Sequence, residues 1–413
     1  MSGHRVVVTG LGPVTSVGVG AKRFHVGQSE GRSGVRTISR FDPAGLPVRI
    51  AAEVDLPPEL ELSRRDTRAT DRCTQLASVA ATLALQDSGL DLEAEDRSRI
   101  GVAIGSGAGG TETTEHNLRA SFERADGHKG LSARFIPSSM VNSAAAWVTI
   151  QYGLTGPSSA AVTACASGAD SLVAAHQMIA TGEADVVLAG GTEAPLASRM
   201  VGGFAKMRAL STRNDEPERA SRPFSADRDG FVLGEGAAVL VLESAEHAAA
   251  RGAVPLAEFR GYGRSSDAYH VTAPRPDGTG AARAVTAALR SARLDAADVG
   301  YVNAHGTGTT FNDAAEAQAI RLALGDAAAR VPVSATKSLT GHTLGASGAI
   351  EAVASVQALI HNLVPPTANL DEPDAELGLN VVGAHGLETG VDAVLSNSFA
   401  FGGHNVVLAF TRG

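Results

Sequence analysis

Short runs of β-branched and other apolar residues recur along the chain, each ending in glycine or a small polar residue. In the first half they are RVVVTGLG (5–12), IGVAIGSG (100–107), ADVVLAGG (184–191) and AAVLVLES (237–244). In the second half they are LAEFRGYG (256–263), VGYVNAHGTG (299–308), PVSATKS (332–338), AVLSNSFAFGG (393–403) and NVVLAFT (405–411). Runs that are apolar at odd and even positions alike predict strands buried on both faces. Ala-rich stretches of helical composition lie between them, at 74–88, 171–181, 280–292 and 314–324. Strands alternating with helices predict an α/β protein. The rhythm restarts near residue 256, after ESAEHAAARGAVPLAE with its Gly252 and Pro255. Two α/β halves are expected, 1–255 and 256–413, with no close sequence repeat between them.

Composition narrows the picture. Of 413 residues, 44% are hydrophobic and 19% charged, which fits a globular protein with a large core. Aromatics are only 4% while glycines number 47, so tight backbone packing is expected. Lysines and arginines total 35 against 44 acids, a net charge of −9 and the wrong sign for a nucleic-acid binder. Two cysteines, Cys73 and Cys165, are too few for a disulfide framework or a cysteine zinc site. A reducing, cytoplasmic setting is expected. The start, MSGHRVVVTGLG, has no secretory pattern, and no apolar run approaches the roughly 20 residues of a membrane span.

Three residues carry candidate chemistry. Cys165, in SSAAVTACASG, follows a strand-like run and precedes a helical stretch that starts at about Ser167. Amide groups and the dipole at a helix start stabilise a thiolate and can hold the oxyanion formed when a thioester is attacked. A buried, inert cysteine is the competing reading, and the residue alone leaves both open. Cys73 sits inside a helical pattern and reads as core. His305 follows a β-rich run, in VNAHGTGTTFND, and His342 lies before a Gly-rich helix start, in ATKSLTGHTLGASGAIEA. A cysteine with a histidine supports covalent catalysis. A second imidazole suits a reaction that develops a second oxyanion or enolate. Two other patterns are set aside. GSGAGG (105–110) has dinucleotide-loop spacing but lacks the Lys-Ser/Thr of a phosphate loop. GQSEG (27–31) has hydrolase-elbow spacing without the strand–turn–helix context, so a surface loop is expected.

Seven ordered motifs resemble the elongating β-ketoacyl-acyl carrier protein synthases of fatty-acid and type II polyketide synthesis, in the thiolase superfamily. They are VTGLGPVTSVG, VTACASG, ALSTRND with SRPFSADRDGFVLGEGA, SSDAYHVTAP, NAHGTGTTFND, ATKSLTGHTLGASGAIEA and NSFAFGGHN, and they span the chain. The resemblance implies a thiolase fold, two similar α/β halves forming a five-layered αβαβα core. It implies Cys165 as the acyl-carrying nucleophile, His305 and His342 as the paired histidines, Lys337 as a supporting lysine and Glu351 as the acid that positions them. Phe401 matches the gating phenylalanine, whose amide joins that of Cys165 in an oxyanion hole. Thr307 and Thr309 match positions that bond the pantetheine arm, with His270 and Thr272 along the same entrance. The implied reaction is decarboxylative: malonyl-carrier protein condenses with the acyl-cysteine, and the chain grows by two carbons. No metal or redox cofactor is implied.

Residue choices refine this. Initiating relatives carry Asn where His342 stands, and degradative thiolases use a second cysteine, so elongation is favoured. Non-catalytic chain-length subunits lack the nucleophile, so Cys165 argues against an idle partner subunit. A thioesterase or plain acyltransferase would have no obvious use for the 337–342 segment. Ala166 stands where many relatives have Thr. Ala108 stands where many have a bulkier aliphatic residue, which suggests room for a longer or stiffer acyl chain, and Thr111, Thr113 and Thr114 suggest a more polar pocket. Arg64, Arg65, Arg68 and Arg72 form one basic cluster, and Lys206, Arg208 and Arg213 another. Either is an ordinary solvated face or a docking surface for an acidic acyl carrier protein. A dimer is expected, with a second copy or with a subunit resembling a chain-length factor.

Overall fold

The computed structural model describes residues 3–124 and 126–413. Its principal strands join into one 12-stranded sheet. First-half strands lie in the order Ser158–Ser159, Ile100–Gly105, Val186–Glu193, Gly236–Ser244, Val6–Thr15. Second-half strands lie in the order Pro332–Ser334, Tyr301–Asn303, Ala393–Ala400, His404–Thr411, Ala257–Ser266. In both lists the first three strands are parallel, and the fourth and fifth each run antiparallel to the one before. The lists therefore match position by position. The halves meet where Val7 and Val8 pair with Glu258 and Ala257.

Helices make the remaining layers. Arg72–Ser88 and Ser143–Tyr152 pack on the outer face of the first half. Thr279–Ala292 and Thr310–Leu324 cover the second. Ser167–Ala180 and Ser347–His361 lie between the two halves of the sheet. This is the αβαβα layering of the thiolase fold. It explains why the strands read as continuous apolar runs. Leu240 and Leu242 face the central layer while Val239 and Val241 face the outer one, and Val406 and Leu408 repeat the alternation against Val407 and Ala409. It also explains Ser347–His361, which is buried from Ser347 through Leu359. Apolar residues all round a helix mark one with no solvent face.

Several runs are shorter as strands than the hydrophobic pattern predicts. Only Tyr301–Asn303 of 299–308 is paired, and only Pro332–Ser334 of 332–338. Beyond Asn303 the chain leaves the sheet because the Glu316 carboxylate takes the amides of His305 and Gly306. Positive φ at Gly306 and Gly308 permits the bend. In SSAAVTA only Ser158–Ser159 pairs. The amides of Ala161 and Thr163 bond instead to Ser171 and Ser167 hydroxyls on the following helix. GQSEG is not a surface loop: Gly27 and Gln28 are buried and, with Ser29, end the helix Ala21–Ser29. Cys73 is core, as read.

Glycine allows the central layer to close. A Cβ on Gly191 would sit 2.6 Å from the Gly345 carbonyl oxygen and 2.8 Å from the Gly168 Cα. Both are backbone atoms with little room to yield. Gly191→Ala should therefore cost about 1–3 kcal/mol as an overpacking change, read as a lower denaturation midpoint at unchanged m-value.

Candidate active site

Cys165 sits in a tight turn, Ala164–Ala166, that feeds the central helix Ser167–Ala180. Ala164 takes a left-handed φ of 50°, a strained conformation for a residue with a Cβ. Ser167 secures the turn by donating to the Ala164 carbonyl at 2.7 Å. The other central helix begins the same way. The turn Leu344–Ala346, with Leu344 at φ 46°, leads into Ser347–His361. His342 lies just before that turn, its amide donating to the Val232 carbonyl at 2.7 Å. The two helix starts meet, and His342 Nε2 comes within 3.2 Å of Cys165 Sγ.

Hydrogen-bond partners assign the imidazole protons. His342 Nδ1 lies 2.9 Å from Ser347 Oγ, so a proton on Nδ1 leaves Nε2 free to accept from the thiol. His305 lies across from it, with ring centroids 5.4 Å apart and planes nearly perpendicular. Lys337 Nζ donates to His305 Nδ1 at 3.2 Å, to the His305 carbonyl at 2.5 Å and to Glu351. Those contacts make His305 Nδ1 the acceptor and Nε2 the donor of its ring. Lys337 and Glu351 are both buried, so each offsets the cost of burying the other's charge.

Burial governs the protonation states. Both imidazoles are held well below the ordinary histidine value, by burial and then by the positive Lys337. Burial also pushes the Glu351 carboxyl up to about 7, against the pull of Lys337. Sequence position suggests a thiolate stabilised by a helix start. Here the outcome differs: burial pushes the Cys165 thiol up to about 11. Lys337 and the backbone amides of Phe401 and Cys165 pull the other way without overcoming it. The resting pair is a neutral thiol against a neutral imidazole.

The site opens on a cavity of about 480 Å³. Cys165, His305, His342 and Phe401 line it, as do Ala108, Thr272, Thr307 and Thr309. Phe401 starts the turn Phe401–Gly403, in which Gly402 and Gly403 take positive φ. Thr307 and Thr309 hydroxyls lie 2.9 Å apart along one wall. His270 does not line the cavity. It is exposed, and its Nδ1 accepts the amides of Thr272 and Ala273, so it shapes the entrance from outside. Ala166 faces the central core rather than the cavity. Thr111, Thr113 and Thr114 do not make the pocket polar. The hydroxyls of Thr111 and Thr114 bond to the Ala194 and Gly110 carbonyls, and none of the three lines the cavity.

The basic clusters separate. Arg64, Arg65 and Arg68 are exposed on the short helix Arg64–Ala69. Arg72 does not belong with them, since it pairs with the fully buried Glu235. Lys206 and Arg208 are exposed, with Arg208 at the cavity mouth, but Arg213 is tied to Asp227. Among the described residues no group of three His, Cys, Asp or Glu side chains is placed to hold a metal. None of their helices is long and apolar enough to cross a membrane.

Sequence reasoning missed three buried carboxylates. Asp313 takes the amides of Thr307 and Gly308, and Glu316 those of His305 and Gly306, so together they hold the His305 loop. Their i, i+3 spacing on one helix was a readable signal. Glu193 accepts the amides of Gly107 and Ala108. The GSGAGG loop thus turns its amides to an internal carboxylate, leaving no dinucleotide role. A lone acid ending an apolar strand, VVLAGGTE, was the visible sign.

Comparison with known proteins agrees with this architecture. The family described as "Beta-ketoacyl synthase, N-terminal domain" matches residues 3–248, and its C-terminal domain matches 256–371. The chain is 46% identical over 413 residues to a 3-oxoacyl-[acyl-carrier-protein] synthase 2 of Coxiella burnetii, covering 100% of this chain and 99% of that one. It is also 46% identical, over all of both chains, to the protein of the same name from Vibrio cholerae. Among solved structures, a type II polyketide ketosynthase in complex with its acyl-carrier protein superposes with a TM-score of 0.92 at 35% identity over 100% of both chains. A β-ketoacyl synthase from Burkholderia phymatum gives 0.91 at 39%, over 99% of this chain and 100% of that one. With both family domains matched in order and full-length relatives at this identity, the chain belongs to the β-ketoacyl synthase family.

Proposed function

We propose that this protein is an elongating 3-oxoacyl-[acyl-carrier-protein] synthase that condenses malonyl-carrier protein with an acyl group held on Cys165. The observation that carries the reading is the 3.2 Å approach of His342 Nε2 to Cys165 Sγ, with His305 opposite, at the base of a cavity. His342 accepts the thiol proton as sulfur attacks the carrier-bound acyl thioester. The amides of Cys165 and Phe401 hold the oxyanion. The pantetheine sulfur leaves with the proton, and the acyl-cysteine remains. Malonyl thioester then enters. As carbon dioxide departs, negative charge develops on the thioester oxygen, where His305 Nε2–H stabilises it; His342 joins once its proton sits on Nε2, with Ser347 Oγ then donating to Nδ1. The enolate carbon attacks the acyl-cysteine carbonyl, and sulfur leaves as thiolate, which takes a proton from solvent to restore the resting thiol. Lys337 and Glu351 position His305 rather than reacting. Thr307, Thr309 and Thr272 line the path of the pantetheine arm. No metal or redox cofactor enters this scheme.

The partner is an acyl carrier protein, docking through Arg65, Arg68 and Lys206, which are exposed. A dimer is proposed, with a second copy or a chain-length-factor-like subunit. Its support is the outer sheet edge at Ser158–Ser159, beside exposed Ile150 and Val162. The chain is divided at 255/256 into a half with the nucleophile and a half with the histidines. A fatty-acid or a polyketide or polyene pathway fits equally. Ala108 at the cavity wall supports long or stiff acyl chains.

Incubation with acyl- and malonyl-carrier protein should give a 3-oxoacyl product by mass spectrometry, abolished in Cys165→Ala. Acylation of Cys165 without condensation would reject the elongating role. Ala108→Phe should slow acylation by long or polyunsaturated donors at least about tenfold, roughly 1.4 kcal/mol, while sparing short donors. Charge reversal at Arg65 and Arg68 should raise KM for carrier-borne donors about tenfold and leave small thioester mimics unaffected; equal loss on both would reject docking there. In the free enzyme, alkylation of Cys165 should keep rising with pH toward about 11, since the thiolate is the reactive form. A plateau below pH 8 would contradict the neutral resting pair.

A further inference from the structure

Glu193 is a buried acid that the condensation scheme does not use. Its side chain is fully buried at the end of Val186–Glu193. None of its hydrogen-bond partners is a cation. Ser106 Oγ donates to Oε1 at 2.7 Å and the Ala108 amide at 3.2 Å. The Gly107 amide donates to Oε2 at 2.7 Å and the Gly345 amide at 3.0 Å. Backbone amides can only donate. The Ser106 hydroxyl already accepts from the Gly109 amide at 3.0 Å, so its own proton turns toward Glu193. Each carboxylate oxygen therefore accepts two hydrogen bonds, and these four donors oppose the upward push that burial gives this carboxyl. The donor set fits an ionised carboxylate whose charge is balanced by dipoles alone.

Those four donors come from two loops. Ser106–Ala108 carries the cavity wall at Ala108, and Gly345 lies three residues after His342. The carboxylate also lies near the backbone of the turn that carries the nucleophile. A Cβ built on Gly107 would fall 2.9 Å from Glu193 Oε2 and 3.3 Å from the carbonyl oxygen of Ala164, the residue before Cys165. Gly345 is equally confined, since its Cβ would meet the Gly107 amide nitrogen at 2.4 Å and Oε2 at 2.6 Å.

We propose that Glu193 is a positioning residue: an internal anion that clamps the acyl-pocket loop to the His342 turn and keeps the Cys165 sulfur protonated until an acyl thioester arrives. This rests on the reading of Cys165 as the acyl-carrying nucleophile. Burial is the larger cause that holds the thiol up and Lys337 opposes it; the negative charge of Glu193 adds to the upward push, as it does on the buried Cys73 thiol. A thiol kept neutral is protected from alkylation and oxidation in the empty enzyme. It also retains the proton that His342 must receive during attack.

The test compares wild type, Glu193→Gln and Glu193→Asp. The rate of iodoacetamide alkylation at Cys165 is followed against pH, with the modified peptide identified by mass, and kcat and KM are measured separately. Glu193→Gln removes the charge and turns an NH2 group toward two of the four donors. Its alkylation midpoint should fall by about one unit, making the thiol roughly tenfold more reactive at pH 8, and kcat should drop more than KM changes. Glu193→Asp keeps the charge and should keep the wild-type midpoint. Glu193→Gln with wild-type stability and an unmoved midpoint overturns the proposal, as does Glu193→Asp behaving like Glu193→Gln. If Glu193→Gln does not fold, carbon-13 NMR of glutamate-labelled wild type decides. Its buried carboxyl resonance, identified by its loss in Glu193→Asp, should stay at the ionised position from pH 6 to 9, and a protonated carboxyl at pH 7 overturns the proposal. A shifted midpoint in Glu193→Gln, alongside wild-type enzyme that alkylates but never condenses, would reject the condensing function and leave the role of Glu193 standing.

Discussion

Two helices buried between two halves of one sheet are the constraint on which this molecule depends. Ser347–His361 is buried through Leu359 and Ser167–Ala180 over most of its first nine residues, and they approach closely because glycine lines their contact. A Cβ on Gly168 would meet the Gly345 carbonyl at 2.8 Å, and one on Gly348 would meet the Ala169 amide at 2.9 Å. Their N-terminal turns therefore converge, and that convergence sets the 3.2 Å between Cys165 and His342. Small residues elsewhere, and so few aromatics, are the compositional trace of the same demand for close backbone packing.

Burying the site settles its electrostatics. In a dry centre a charge survives only if opposite charge or several dipoles compensate it. Lys337 finds Glu351 and the His305 carbonyl, and Glu193 finds four donors. At Cys165 the compensation from Lys337 and two amides falls short of the cost of burial, and at the two histidines Lys337 adds to that cost, so all three rest neutral. In the proposed reaction, neutral partners suit a site that takes up negative charge twice, once at sulfur and once at an enolate oxygen. Fixed amides and imidazole N–H groups can meet that charge as it appears without solvent reorganisation.

The buried carboxylates explain how loops can be this exact in so apolar a core. Asp313 and Glu316 organise the turn around His305, while Glu193 joins the cavity loop to the His342 turn. Each replaces water as acceptor for amides that leave the sheet. The strand at 299–308 stops early for this reason, its later amides taken by Glu316 and Asp313, while that at 332–338 stops where the Ala335 amide turns to Thr367 Oγ1 and a short helix begins at Lys337.

What the amino-acid sequence determined by itself was the alternation of strand and helix, the restart near residue 256, and the set of chemical groups. Apolar runs without period-two alternation marked strands buried on both faces, and the motifs around Cys165, His305, His342, Lys337, Glu351 and Phe401 carried the family resemblance. Those are local properties, written in adjacent residues. Tertiary structure decided everything that depends on residues far apart in the chain. It neutralised the thiol that a helix start alone would have favoured as thiolate, because burial outweighs the amides. It moved His270 outside the cavity wall, turned Ala166 into the core and withdrew Arg72 from the surface to pair with Glu235. It also gave Glu193 a purpose that its position at the end of one strand could not reveal. Four donors from two distant loops meet there only once the central layer has closed.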